Sequence, residues 1–485
     1  MNLLFTKMDS ATFCLLISPV FNPGKGNLLM MVREQDPPLN LAMLAAWIRD
    51  KGFETSILDC AIDTPTLTLF RNKMLQYKLQ HKENNIFIGF YICTPTAYYC
   101  YTLAKIAKEV MPDCILIAGG PHTSFMYEEV LTHAPIDIAL IGEGEITLEE
   151  ILKGLPLDKV NGIAYKDKTE NKINVTPPRA RIEDLDTLPM PAYDLLKIRK
   201  YRPPIGTFKR LPSFMVTFSR GCPNNCFFCT KTLGFKHYQK SADNIYKEIK
   251  YLYDVFGIRD FVFVDDTFTA YRSNAIAFCK LLIDNKLKIT WHCYTRVNNI
   301  DKELLGWMKK AGCHQLMFGV ESFSTEVLAK INKDITPQQI EEAVLMTKQA
   351  GIACRLAMMI GNRGETIESL KHSLNELLRL QPDFISVLIA TPGPGTPFFK
   401  WAEEENRIIS RDWSLYTGGT PVVRLDGISP EEISYYYKLY WKKFYFYPGS
   451  ILRLLKYTTN VYQIYNLWTG FWKMMKFLVV RRGSA

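Results

Sequence analysis

Over residues 12–150, short and almost wholly apolar runs alternate with amphipathic stretches. The runs fall at 13–20, 55–58, 86–91, 115–118 and 138–141. They lack the in–out alternation of a half-solvated strand, so they predict parallel strands covered on both faces. Residues 40–51 place Leu44, Trp47 and Ile48 on one helical face, and Gly52 suits the left-handed position that ends a helix. The pattern predicts a doubly wound, Rossmann-like α/β domain.

The period then changes. Residues 151–205 carry a polar turn, Lys166-Asp167-Lys168, between short strand-like pieces, followed by Pro177, Pro178, Pro189 and Pro191. A small hairpin and a linker are expected there. From 210 to 400 six strand–helix units follow, with strands near 214–219, 260–265, 288–294, 315–320, 354–360 and 384–390. The intervening helices have clear signals. Residues 244–256 repeat Ile245, Ile249 and Leu252 at helical spacing, and Thr336, Pro337 and Gln339 form a capping box before a helix that stops ahead of Gly351. Six such units predict a partial (β/α)6 TIM-like barrel with its chemistry at the C-terminal strand ends. Residues 401–485 read as a helical C-terminal region. The expected divisions are therefore 1–150, 151–209, 210–400 and 401–485.

Composition adds two points. The chain of 485 residues is 47% hydrophobic and 22% charged, as in a globular protein, and has no apolar run of membrane-spanning length. No signal peptide is evident, because Lys7 and Asp9 interrupt the first apolar residues, so a cytoplasmic location is expected. The net charge of +10 is concentrated at one end. From Trp441 onward there are eight basic residues (Lys442, Lys443, Arg453, Lys456, Lys473, Lys476, Arg481 and Arg482) and no acid. The remainder is close to neutral, which excludes a general nucleic-acid surface. Tyr435-Tyr436-Tyr437, Trp441, Phe444-Tyr445-Phe446-Tyr447, Trp468, Phe471 and Trp472 alternate with those bases, and Leu452, Leu455, Val461, Ile464 and Leu467 recur near them. Such a profile suits peripheral contact with a membrane or a greasy substrate; the competing expectation is that the aromatics close the open side of the barrel.

The chemistry is signalled by cysteine. Nine of twelve cysteines are scattered singly, as buried structural thiols are. The other three lie in Cys222-Pro223-Asn224-Asn225-Cys226-Phe227-Phe228-Cys229, directly after the first barrel strand. Thiolates suit iron–sulfur clusters or zinc. Three in one tight loop leave a coordination position open for a substrate or cosubstrate. The alternative is zinc completed by a remote His or Cys.

This CxxxCxΦC motif, with Phe228 at the aromatic position, resembles that of the radical S-adenosylmethionine (SAM) superfamily. The resemblance implies a [4Fe–4S] cluster on Cys222, Cys226 and Cys229, with SAM on its unique iron and cleavage to a 5′-deoxyadenosyl radical. It also implies SAM contacts at successive strand ends: Asp265 and Asp266 near the amino group, Arg296 at the carboxylate, Glu321 and Ser322 near the ribose or amino group, and Gly361 and Glu365 beside adenine. Arg363 stands where relatives often carry proline. Thr391-Pro392-Gly393-Pro394-Gly395-Thr396-Pro397 resembles the loop after the sixth strand.

The N-terminal region resembles the cobalamin-binding radical SAM subgroup, including radical SAM methyltransferases and the anaerobic magnesium-protoporphyrin monomethyl ester cyclases. Leu39, Asn40, Thr94, Pro95, Thr96, Gly119, Gly120, Gly142, Glu143 and Gly144 are the implied cobalamin contacts. The DxHxxG motif is absent and His122 is spaced differently, so cobalamin is expected to bind without a protein histidine on cobalt. The resemblance implies methylation of an unactivated carbon of a small molecule, lipid or tetrapyrrole, with electrons from a donor such as flavodoxin or ferredoxin. The alternatives are a radical cyclase or ring-rearranging oxidoreductase, a methylthiotransferase using Cys14, Cys60 and Cys93, and a non-catalytic iron–sulfur protein.

Overall fold

The computed structural model describes residues 11–20, 36–167, 172–204, 206–456 and 461–479. Arg481, Arg482 and Lys168, together with the side chains of Leu455, Lys456 and Val461, lie outside the described residues. The chain divides into two compact units, one built mainly from residues 37–200 with the first strand, the other from 201 onward.

The first unit is a seven-stranded sheet in the order β2-β1-β3-β4-β5-β6-β7. Strands β1 (Thr12–Ser18), β2 (Glu54–Asp59), β3 (Asn85–Tyr91), β4 (Ile115–Gly119) and β5 (Ile138–Leu140) run parallel. The apolar runs are these strands, and Phe13, Cys14, Leu15, Leu16 and Ile17 are all buried. Helix α1 (Leu39–Asp50) covers one face through Leu41, Ala45 and Ile48, with Leu44 and Trp47 packed at the edge of the same core. It ends where Gly52 takes φ +88°. The expected hairpin is β6 (Ile163–Asp167) and β7 (Lys172–Val175), and it is not free-standing. Strand β6 pairs antiparallel with β5 and extends the first sheet. Polar turn chemistry shows a hairpin in sequence but not the edge it joins. The strand order reverses between β1 and β3, where open α/β sheets form their ligand crevice.

The second unit carries six parallel strands in sequential order: β8 (Ser213–Val216), β11 (Asp260–Phe263), β12 (Thr290–Thr295), β13 (Cys313–Glu321), β14 (Ala353–Ile360) and β15 (Phe384–Ile389). Strands β8 and β15 do not pair with one another, so the barrel is open. The expected first strand is cut short. After Val216 the chain leaves the sheet, and β9 (Ser219–Arg220) pairs with β10 (Tyr238–Gln239) as a short antiparallel ribbon flanking the cysteine loop. The Thr336–Gln339 capping box is present.

The aromatic C-terminal region splits in two. Helix α2 (Pro430–Tyr445) lies along β15 and buries Ile433, Tyr436, Tyr437, Tyr440, Trp441 and Phe444. The Tyr440 hydroxyl donates to the Leu370 carbonyl, and that of Tyr445 to the Ile385 carbonyl. These residues cover the unpaired edge of β15. Helix α3 (Val461–Val479) instead exposes Ile464, Tyr465, Trp468, Phe471 and Trp472. Among the described residues no helix is long and apolar enough to cross a membrane.

Candidate functional site

The cysteine loop is fastened at both ends and in the middle. Gly221 takes φ +81°, a turn that only glycine makes without strain. Before it, the Phe218 amide and the Ser219 hydroxyl both donate to Asp265 Oδ1, at 2.8 and 2.5 Å. In the middle, the Phe227 amide donates to the Ile331 carbonyl, and the Phe227 carbonyl accepts from the Phe398 amide. The Phe227 ring packs against Phe398 and Trp401, and the Arg363 guanidinium lies over both Phe227 and Trp401. Arg363, the departure noted in the sequence, is thus a cation stacked on the cluster loop. Cys226 is buried, while Cys222 and Cys229 are half-buried.

Charged groups converge behind this loop. Arg296, buried, points Nη1 at Cys226 Sγ (3.7 Å) and donates from Nη2 to the Lys333 carbonyl (2.5 Å). Lys333 Nζ donates to Glu321 Oε1 at 2.8 Å and lies over the Phe228 ring. Glu321 ends β13 with φ +70°, a strained backbone for a non-glycine residue, at a register shift against β14. The structure therefore joins Cys226, Phe228, Arg296 and Glu321 through one residue, Lys333, that the sequence reasoning missed. Its signal was local: Asn332 and Asp334, which tolerate the left-handed region, flank it with φ +52° and +45°.

The other expected residues are placed differently. Asp265 is a brace for the loop, and its Oδ2 is buried with no hydrogen-bond partner among the described residues. Burial raises its carboxyl to about 6. Asp266 is exposed. Ser322 shares a hydrogen bond with Ser373 and accepts the Ser324 amide, so its hydroxyl serves local packing. Glu365 folds back to accept the amides of Gly361 and Asn362, shaping the φ +85° turn at Gly361. Burial raises its carboxyl to about 8.

In the first unit, the strand ends present backbone rather than side chains. Thr96 Oγ1 accepts the Cys93 amide, and Thr94 Oγ1 pairs with His122 Nδ1. Pro95 sits between them in a single 3-10 turn. His122 is fully buried, with Nε2 on the Tyr101 hydroxyl, so this histidine is embedded in the protein. Gly119 ends β4. Gly120 has φ +103°, and a Cβ there would meet the Ile92 carbonyl oxygen at 2.8 Å. Gly142, at φ +86°, faces open space. Glu143 accepts the Ile182 amide, Gly144 starts the next helix, and Leu39 and Asn40 open α1.

These residues fit the implied groups. Three thiols in one loop, beside a buried guanidinium with no carboxylate partner among the described residues, suit an anionic iron–sulfur cluster. The glycine rim with open space at Gly142 suits close approach by a bulky ligand. Cys14 and Cys60 are buried and their thiols are pushed up to about 12, which does not suit a second cluster.

Comparison with known proteins decides the family. The model of the Radical SAM superfamily matches residues 216–377, and that of the B12 binding domain matches residues 28–152. An uncharacterized methyltransferase of Pyrococcus horikoshii is 33% identical over 441 residues, covering 90% of this chain and 93% of that protein. The chain belongs to the cobalamin-binding radical SAM family. A second member, the anaerobic magnesium-protoporphyrin IX monomethyl ester cyclase of Rubrivivax gelatinosus, is 30% identical over 409 residues, covering 82% of this chain and 71% of that one. The fold is shared with the radical SAM methyltransferase TsrM of Kitasatospora setae, solved with cobalamin and a [4Fe–4S] cluster. That match has a TM-score of 0.70 and 15% identity, over 96% of this chain and 99% of that one. As a cobalamin-binding radical SAM protein the chain is an enzyme, and its cofactors are a [4Fe–4S] cluster, SAM and cobalamin.

Proposed function

We propose that this enzyme methylates an unactivated carbon of an apolar small molecule. Residues 1–150 hold cobalamin, 210–400 carry the SAM chemistry, 151–209 link them, and 401–485 close the barrel and meet the substrate's surroundings. When bound, the cluster and SAM supply the hydrogen-abstracting radical, and cobalamin supplies the methyl group. The protein's own work is to bind, orient and exclude water. Cys222, Cys226 and Cys229 hold the cluster. Phe228 offers an aromatic face. Asp265 Oδ2 and Asp266 would take the SAM ammonium, while Arg296 Nε would present positive charge to its carboxylate. Glu321 would lie at the ribose side with Ser322 packed behind it, and Glu365 would hold the Gly361 turn beside adenine. Leu39, Asn40, the 94–96 turn, Gly119, Gly120 and the 142–144 turn form the cobalamin rim.

The observation that carries this reading is the buried set of Arg296 and Glu321, at the ends of the adjacent strands β12 and β13, with Cys226 in the cysteine loop and Lys333 in the 332–334 turn. The test is anaerobic reconstitution with cobalamin and SAM, with mass spectrometry of extracts from cells with and without the gene to find the substrate. Methyl transfer yields S-adenosylhomocysteine and 5′-deoxyadenosine together. 5′-Deoxyadenosine without S-adenosylhomocysteine favours the cyclase reading, which the 30% identical relative supports.

Two partners complete the proposal. A one-electron donor such as flavodoxin or ferredoxin reduces the cluster. The exposed face of α3, with Trp468 at 61% and Trp472 at 50% exposure beside Lys473 and Lys476, rests peripherally on an anionic membrane. Co-sedimentation with anionic liposomes at low but not high salt is expected. Equal sedimentation after neutralising the basic tail residues would overturn the membrane contact.

A further inference from the structure

Arg296 is a buried cation without a matching anion. Its relative exposure is 6%, and no ion pair involving it occurs among the described residues. The neighbouring buried ammonium, Lys333, is already neutralised by Glu321 at 2.8 Å. Of the three nitrogen sites on the Arg296 guanidinium, Nη2 is held by the Lys333 carbonyl and Nε has no partner, while Nη1 points at the sulfur of Cys226 at 3.7 Å. A guanidinium is protonated at any physiological pH, and burying it without a counter-charge is unfavourable. The group that can supply negative charge beside it is Cys226, whose sulfur is a thiolate when it ligates a cluster. A second, uncharged donor acts on a different ligand: Asn224 Nδ2 donates to Cys222 Sγ at 3.3 Å.

Hydrogen bonds to the ligand sulfurs are one of the means by which a protein sets the potential of an iron–sulfur cluster. Reduction adds an electron and makes the cluster more negative, so a fixed cation donating to a thiolate favours the reduced form. We infer that Arg296 is a positioning residue of the cluster. Oriented by the Lys333 carbonyl, it donates a charge-assisted hydrogen bond to Cys226 and raises the cluster's reduction potential, with Asn224 acting more weakly on Cys222. The inference rests on the three-cysteine cluster proposed above and adds a role that does not depend on the Arg296 contact with SAM. The turn at 332–334 is what makes the arrangement specific. The left-handed backbone at Asn332 and Asp334 directs the Lys333 carbonyl toward Arg296 and its ammonium toward Glu321.

The experiment uses the full chain, reconstituted anaerobically without SAM. Iron per chain is measured first, and then the midpoint potential by an EPR-monitored redox titration. Wild type is compared with Arg296→Met, Arg296→Gln, Arg296→Lys and Asn224→Ala. Iron content like that of wild type is expected in all four variants. Arg296→Met is expected to lower the reduced-to-oxidised ratio at a fixed potential about tenfold, which is about 59 mV for one electron. Arg296→Gln should fall nearly as far, Arg296→Lys should recover most of the loss, and Asn224→Ala should shift less than either neutral variant. If Arg296→Met does not hold iron, Arg296→Gln decides. A neutral Arg296 variant with full iron and the wild-type midpoint overturns the inference. A wild-type chain that takes up no cluster, by contrast, overturns the three-cysteine reading itself.

Discussion

The two sheets end in opposite ways. The strand ends of the first unit are glycines and satisfied threonines. Gly120 and Gly142 have positive φ, Thr94 and Thr96 spend their hydroxyls on neighbours, and the one histidine is enclosed. The strand ends of the barrel carry buried charges, Arg296, Glu321 and Asp265, joined by Lys333 from the 332–334 turn, beside three thiols. Under the proposed assignment, a large ligand such as cobalamin would be met by backbone and open volume, and a small zwitterion by buried charge. The difference teaches that mutations at the two rims fail by different physics, sterics on one and uncompensated charge on the other.

The sharpest break of the comparison is removal of the thiols. Changing Cys222, Cys226 and Cys229 together to Ala should abolish iron binding and the visible thiolate-to-iron absorbance, while cobalamin retention on the first unit persists. Loss of both cofactors together would show that the two rims are not independent.

Next in size is Lys333→Met. It leaves the buried Glu321 carboxylate unpaired, which costs on the order of 3–5 kcal/mol for a buried pair. A fall of many degrees in Tm is expected, and adding Glu321→Gln should restore most of it. A Tm within a degree of wild type would show that this ion pair does not hold the rim.

The glycine rim should respond to size instead. Gly120→Val forces a Cβ to within 2.8 Å of the Ile92 carbonyl oxygen, so the unit itself is destabilised. Gly142→Ala meets no atom within 4 Å and carries only the strain of its φ, about 1 kcal/mol. If the rim binds by close backbone approach, Gly142→Ala lowers cobalamin retention far more than it lowers Tm. Wild-type retention would remove Gly142 from the site.

A further contrast is a pH slope. The Glu365 carboxyl is raised to about 8 in the fold, whereas an unfolded glutamate titrates near ~4.3. Between those values the folded state holds the extra proton, so stability falls as pH rises and levels off above about 8. Glu365→Gln keeps an acceptor for the amides of Gly361 and Asn362 without the titration. Its Tm should match wild type at low pH and exceed it by several degrees at pH ~8. Parallel curves would place the proton elsewhere.

Much of this was legible in the chain. Parallel strands, the open barrel and the cluster motif follow from apolar runs, helix caps and cysteine spacing, which are local properties. The boundaries moved where tertiary pairing took over. The first barrel strand stops at Val216 because Asp265 draws the Phe218 amide and Ser219 hydroxyl out of the sheet, and the hairpin at 163–175 joins the edge of β5.

What the sequence determined by itself was the kind of chemistry: three thiols spaced for an open cluster, glycines at strand ends, and a basic aromatic terminus. Only the tertiary structure decided how each residue is used. Periodicity could not separate Tyr437 and Trp441, which are buried against the barrel, from Trp468 and Trp472, which stay exposed, because both sets sit on amphipathic helices. Nor could it find Lys333, since a lysine in a turn is ordinarily solvated. Its importance comes from a left-handed backbone that brings an ammonium, a carbonyl and the buried groups of two strands together, and such convergence is a property of the fold.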